Sequence, residues 1–157
     1  MCADKDLRKD LSKVLGLELG RLYLDVDELL DYEVLKYQHL TLSQAGEALH
    51  KIQHDCINRA LEFKNCIITI SHDLFVSNDN FDLMRDLTKV FVKLSKSYLV
   101  AKIKKEDKYK LDQELSLFEQ INALIIDNCD IVIEKGAKAN SDLCKEIINE
   151  LEQKKSH

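Results

Sequence analysis

Apolar residues recur along this chain with two different periods. Between residues 4 and 19 they fall at Leu7, Leu11, Val14, Leu15 and Leu19, the three-to-four spacing of a helix with one buried face. The stretch 22–26 is short and reads as a strand, and a short helix is expected around 28–37. Ser43 is placed to cap a longer helix over 44–62, with Glu47 as its capping partner. Cys66-Ile67-Ile68-Thr69-Ile70 is continuous and rich in β-branched side chains, as in a strand covered on both faces. A polar turn, a helix near 79–87 and a strand over 90–94 come next. The charged segment 102–112 is expected to be helical or mobile, and a helix over 113–127 follows it. Asp130-Ile131-Val132-Ile133 forms the last strand, before a turn at Gly136 and a closing helix over 140–154 capped by Asn140 or Ser141.

Strands of the buried type alternating with helices predict an α/β protein. The expected architecture is a three-layer α/β/α sandwich with a mainly parallel sheet, formed by one domain over residues 1–157. Repeats, low-complexity tracts and linkers are not apparent. No apolar run approaches the ~20 residues of a membrane span, so no membrane partner is expected. The net charge of −5 disfavours nucleic acid, whose phosphates require a basic face. Five scattered cysteines without a Cys-x-x-Cys pair, and an N-terminus charged from its fourth residue, fit a reducing cytoplasm better than a disulfide framework.

The first candidate chemistry is Asp25-Val26-Asp27, two carboxylates at the end of a strand and just before a helix. Such strand ends open into the crevice where α/β sheets bind ligands. Period-two alternation turns both acids the same way, so the pair can hold Mg²⁺ through water, accept hydrogen bonds from a hydroxyl, or take its proton. The competing reading is that one aspartate simply caps the helix beginning at Glu28. His50 and His54 lie one helical turn apart, without cysteine or carboxylate at metal-ligand spacing, and read as surface residues; no metal site is expected. Ser71-His72-Asp73 follows a strand, but neighbours in sequence rarely face one another as a nucleophile and base must.

In order and spacing, these segments resemble the shikimate kinase family of P-loop small-molecule kinases. Leu11 to Gly16 and Leu19 to Asp27 are similar to its first helix and the strand ending in Asp-x-Asp. Gly46-Glu47-Ala48-Leu49-His50-Lys51 falls on the family's Gly-Glu-x-x-Phe-Arg, and Asn65–Ile70, Asn80–Met84 and Val90–Leu94 on its later elements. Leu117-Phe118-Glu119, Ala123-Leu124 and Asp130–Ile133 track the late helix and last strand. The resemblance implies ATP- and Mg²⁺-dependent phosphorylation of the shikimate 3-hydroxyl, a step of aromatic amino-acid biosynthesis. It implies Asp25 as the catalytic residue assisting the metal, with Asp27, Lys51, Ser71, His72 and Asp73 around a small acidic, polyhydroxylated substrate.

The departures fall on that chemistry. Counted back without a gap, the family's Gly-x-x-x-x-Gly-Lys-Ser/Thr loop becomes Cys2 to Lys9 and retains no glycine. Arg8 stands for the phosphate-binding lysine, Lys9 for the Mg²⁺-binding hydroxyl, and Asp4 and Asp6 bring negative charge toward a triphosphate. Arg8 and Lys9 are thus a degenerate nucleotide site, and neither ATP nor Mg²⁺ is expected to bind tightly. Lys51 replaces a two-pronged arginine, Ser71-His72-Asp73 replaces a Gly-Gly-Gly turn, and Ile121 replaces a second arginine. The short lid has Lys104, Lys105, Lys108 and Lys110 as its cations. The family's first strand is missing, which leaves mid-sheet edges open to self-association or a protein partner. The expectation is a shikimate-kinase-like domain impaired in catalysis, a pseudoenzyme, with a non-catalytic binding or assembly module as the alternative.

Overall fold

The computed structural model describes residues 1–2, 4–37, 42–76, 80–102 and 108–155, with residues 37, 42–47, 102, 108–114 and 155 described by their backbone only. Its elements, in order, are α1 (Lys5–Leu19), β1 (Leu22–Asp25), α2 (Val26–Val34) and α3 (Leu42–Leu61). They continue with β2 (Cys66–Thr69), α4 (His72–Val76), α5 (Asn80–Leu83) and β3 (Val90–Lys93), and end with α6 (Lys96–Lys102), α7 (Lys108–Ile126), β4 (Ile131–Glu134) and α8 (Asn140–Lys155). A 3-10 turn, Leu35–Tyr37, extends α2.

The strands pair in parallel, β1 with β2 and β3 with β4, as helical crossovers require. Leu22 lies opposite Cys66 and Asp25 opposite Thr69; Val90 lies opposite Ile131 and Lys93 opposite Glu134. Alternation along the strands sends side chains to two core layers. Ile67, Val90, Val92, Ile131 and Ile133 meet α1 and α8, where Leu7, Leu11, Leu15, Leu143 and Ile147 are buried. Ile68, Ile70 and Phe91 point the other way, onto Ile57 and Ala60 of α3, Phe75 of α4 and Ile125 of α7. Helices on both faces of parallel strands make the three-layer α/β/α sandwich.

Among the described residues no ladder joins β2 to β3, so the four strands form two pairs rather than one sheet. Met1 partly bridges this division. Its N–H group donates to the Val90 carbonyl at 2.7 Å, and its carbonyl accepts from the Val92 N–H at 2.9 Å, the pairing of a parallel strand. Met1 thus pairs with β3 in parallel register through both of its backbone groups.

Local chemistry shifts several expected boundaries. The first strand ends at Asp25 rather than 26, because Asp25 turns the chain into α2. The polar turn after β2 is instead a short helix, α4, which buries Leu74 and Phe75. The helix expected near 79–87 reduces to Asn80–Leu83. Asn80 is buried and donates to the Leu74 carbonyl at 3.0 Å, tying α5 to α4. Neither Asn140 nor Ser141 caps α8: the helix begins at Asn140, and the Leu143 N–H already reaches the Ala139 carbonyl at 3.1 Å. α3 starts at Leu42, and the expected Ser43–Glu47 cap lies outside the described side chains. Gly20 ends α1 at φ +60°, a left-handed conformation that suits glycine. Among the described residues no helix is long and apolar enough to cross a membrane.

Candidate functional site

At the C-terminal ends of β1 and β2, three elements converge on one buried charge cluster. α1 contributes Arg8, which shares the inward stripe of Leu11, Ser12 and Leu15 and is only 4% exposed. A guanidinium placed there needs acids within reach. Its Nη2 lies 2.9 Å from Asp27 Oδ2 and 3.9 Å from Asp25 Oδ1, and its Nη1 donates to the Cys2 carbonyl at 3.0 Å.

Asp25 is the last residue of β1 and the N-cap of α2. Its Oδ1 accepts from the backbone N–H groups of Asp27 at 3.0 Å and Glu28 at 3.3 Å. The capping geometry weighed against a catalytic one is thus realised by Asp25. Its other oxygen, Oδ2, is buried without a hydrogen-bond partner, as is Arg8 Nε. Asp27 reaches across to the next loop, where Oδ2 also accepts from the Ser71 N–H at 2.8 Å. One carboxylate therefore fastens α1, α2 and the β2–α4 connection, while its side chain keeps 20% exposure.

The remaining candidates lie around this centre to different degrees. Ser71 takes part through its backbone; its Oγ accepts from the Leu74 N–H at 3.4 Å and caps α4. His72 Nε2 lies 2.9 Å from Asp73 Oδ1, and the hydrogen bond from His72 holds the Asp73 carboxyl below the usual carboxylate range. The His72 ring stands edge-on to Phe118 at 5.9 Å. Ser71 Oγ accepts from α4 and His72 pairs with Asp73, and among the described residues no hydrogen bond joins Ser71 Oγ to the His72 ring. Lys51 is exposed on α3 and pairs with neither Asp25 nor Asp27, so the counter-charge is Arg8 instead. Lys9 pairs with Glu28, and that hydrogen bond raises the lysine and lowers the glutamate from their ordinary values. Ile121 packs against the α3 side of the core. Lys104 and Lys105, and the side chains of Lys108 and Lys110, lie outside the described residues.

The N-terminus of α1 is closed by its own chain. Asp4 Oδ1 accepts from the Leu7 N–H at 3.0 Å, and Oδ2 accepts from the Tyr98 hydroxyl at 2.8 Å. No group of three or more His, Cys, Asp or Glu side chains forms a metal cage among the described residues. His54 instead contacts Asn58 at 2.9 Å.

Two features here were not anticipated from sequence, the Arg8 ion pairs and the Tyr98–Asp4 contact. The first had a signal: Arg8 falls on the buried stripe of an amphipathic helix, where an unpaired cation is untenable. The second joins residues 94 positions apart and leaves no local pattern.

Comparison with known proteins agrees with this fold. Solved shikimate kinases superimpose over almost the whole chain. The enzyme from Aquifex aeolicus is 22% identical with a TM-score of 0.70, over 98% of this chain and 95% of its own. That from Bacteroides thetaiotaomicron is 18% identical with a TM-score of 0.74, over 97% and 96%. A shikimate kinase from Acinetobacter baumannii in complex with shikimate is 15% identical with a TM-score of 0.77, over 98% and 92%. No curated protein matches the sequence. The shikimate kinase family matches residues 9–152, nearly the full length, and the chain belongs to that family.

Proposed function

We propose that this protein keeps the acid-lined crevice of a shikimate kinase and is impaired in phosphoryl transfer. Shikimate kinases draw the transferred group from ATP with Mg²⁺. The residues present here do not fit that nucleotide. A phosphate site at a helix N-terminus needs free N–H groups and a cation; at α1 the Asp4 carboxylate caps the helix and repels phosphate. Arg8, at the position of the phosphate-binding lysine, is engaged with Asp27. That buried ion pair carries the proposal.

The crevice itself suits a small polyhydroxylated acid. Asp27 is the acceptor for substrate hydroxyls, and it is the only one of the two aspartates with appreciable exposure. Asp25 acts by holding α2 and the cluster in place. With Lys51 pointing to solvent, binding is weak; loss of one charge-assisted bond costs ~1.5–3 kcal/mol, roughly ten- to hundred-fold in affinity.

Calorimetric titration with Mg·ATP is expected to give no saturable heat up to about millimolar concentration, ~4 kcal/mol of binding energy. A micromolar dissociation constant, or ATP-dependent phosphorylation of shikimate, overturns the proposal. In a parallel NMR titration with shikimate, shifts are expected at residues 25–28 and 71–73.

A second reading, a non-catalytic assembly module, draws support from the division between β2 and β3. Unpaired strand edges favour association with further strands. Light scattering on the eluting protein distinguishes the two, a monomer at all concentrations excluding self-assembly.

A further inference from the structure

The two most exposed large apolar side chains among the described residues, Leu17 at 84% and Leu22 at 77%, lie at one edge of the strands. β1 pairs with β2 on one side and, among the described residues, with no strand on the other, so its outer backbone groups are open to a further strand. Leu22-Tyr23-Leu24 carries neither the lysine nor the proline that blunts such edges.

Alternation sends the β1 side chains to both faces. Tyr23 lies on the α1 face: its Cβ stands 4.0 Å from where a methyl group on Gly16 would sit, and Leu17 follows Gly16 on the same helix. Leu22 lies on the other face, opposite Cys66 in the ladder. The Cys66 thiol donates to the Phe63 carbonyl at 3.2 Å, which brings Phe63, also exposed, to the same end of the edge. Apolar side chains thus flank the open edge above and below, the surroundings that an added strand needs.

Their charged neighbours indicate which strand. Glu18 follows Leu17, Arg21 precedes Leu22, and Glu62 and Lys64 flank Phe63; all four are exposed, and none forms an ion pair among the described residues. Two acids and two bases cancel, so a strongly charged partner gains nothing here. A second copy does: a two-fold axis offers the acids of each copy to the bases of the other.

We propose that β1 is the contact of a two-fold dimer, in which the edge strands of two copies run antiparallel and join their β1–β2 pairs into one sheet. Leu17, Leu22, Tyr23 and Phe63 of both copies are covered across the axis. Asp25, at the far end of β1, stays in its cluster with Arg8, and the β2–β3 division takes no part.

Light scattering on the eluting full chain is expected to show a dimer fraction that grows with loading concentration. Leu22→Lys, at a solvent-facing position, places a charge at the axis and should weaken the dimer at least ~ten-fold, whereas Leu124→Lys on α7 should leave it intact. Two charge variants supply the sharper test. Arg21→Glu with Lys64→Glu makes the rim wholly acidic, and Glu18→Lys with Glu62→Lys makes it wholly basic. Each should be monomeric alone, and the two should form a dimer when mixed. A monomer of the unaltered protein up to about millimolar concentration, a dimer that survives Leu22→Lys, or charge variants that do not combine would each overturn the proposal. Association at the β2–β3 division instead would persist in every one of these variants. The unaltered protein and the mixed charge variants decide the matter even where Leu22→Lys fails to fold.

Discussion

Replacing Arg8 with methionine tests the centre of the molecule. Methionine keeps most of the volume and helix propensity of the arginine stem, so the change isolates the charge. In the folded protein it leaves Asp25, 4% exposed, and the partly buried Asp27 without a cation. Breaking a buried ion pair from one side costs ~3–5 kcal/mol. Asp27 retains 20% exposure and its Ser71 hydrogen bond, which places the loss at the lower end, about 3 kcal/mol. With a urea slope of ~2 kcal/mol/M, the unfolding midpoint should fall by about 1.5 M. Arg8→Lys preserves charge but not the fork that reaches both Asp27 and the Cys2 carbonyl, and should lose about half as much. Combining Arg8→Met with Asp27→Asn closes a double-mutant cycle, in which a coupling of at least ~1.5 kcal/mol is expected. A loss below ~1 kcal/mol for Arg8→Met with no coupling would reduce Arg8 to a packing residue, and would remove the reason given for poor ATP binding.

Three further outcomes follow from the same geometry. Asp4→Ala removes the α1 cap and the Tyr98 partner and should cost about 1–2 kcal/mol in urea unfolding; an unchanged midpoint would show that neither bond matters in solution. Asp130 accepts from the Lys89 N–H at 2.8 Å, which holds its carboxyl below the ordinary value. Because the folded state favours the ionised form, that contribution is complete above pH ~4 and is lost as pH falls through the depressed pKa. Asp130→Asn should therefore cost about 1 kcal/mol at pH 7, after discounting for solvent, and nothing near pH 2. Burial pushes the Cys129 thiol up to about 11, so maleimide labelling at that site, read by mass spectrometry, should be slow at pH 8 and rise steeply above pH 10. Labelling at the rate of a free thiol would mean that the end of α7 opens readily.

The fold was legible because burial in parallel strands leaves continuous apolar runs. Cys66–Ile70 and Val90–Leu94 were found within one residue of their observed ends. What escaped was decided by side chains bonding to backbone. Asp25 ends β1 one residue early because capping α2 satisfies two N–H groups, which outweighs the strand preference of Val26. α4 was concealed because Ser71-His72-Asp73 looks like a polar turn, whereas Ser71 Oγ caps a helix and Leu74 and Phe75 bury its other face. In the site, Asp25 and Asp27 stood out from their position alone. The partner did not: Arg8 reads locally as a phosphate ligand, and only the packing of α1 across 19 residues of sequence turns it onto Asp27.

That pairing links the stability of the protein to the proposed impairment of its nucleotide site. A cation at this point of α1 must face an anion, since burial leaves no water to solvate it. Where a phosphate does not supply the anion, Asp27 does, and the same carboxylate then fastens α2 and the β2–α4 connection. Reintroducing glycines over residues 2–7 would free backbone N–H groups for phosphate but leave Arg8 engaged. A triphosphate would have to draw the guanidinium away from Asp27, against the ~3 kcal/mol that holds it, roughly a hundred-fold in affinity. Asp4 opposes the same step, because its carboxylate occupies the end of the helix where phosphate would lie. On the proposed reading two independent features, the Arg8–Asp27 pair and the Asp4 cap, oppose a phosphate here, and relieving either alone leaves the other in place.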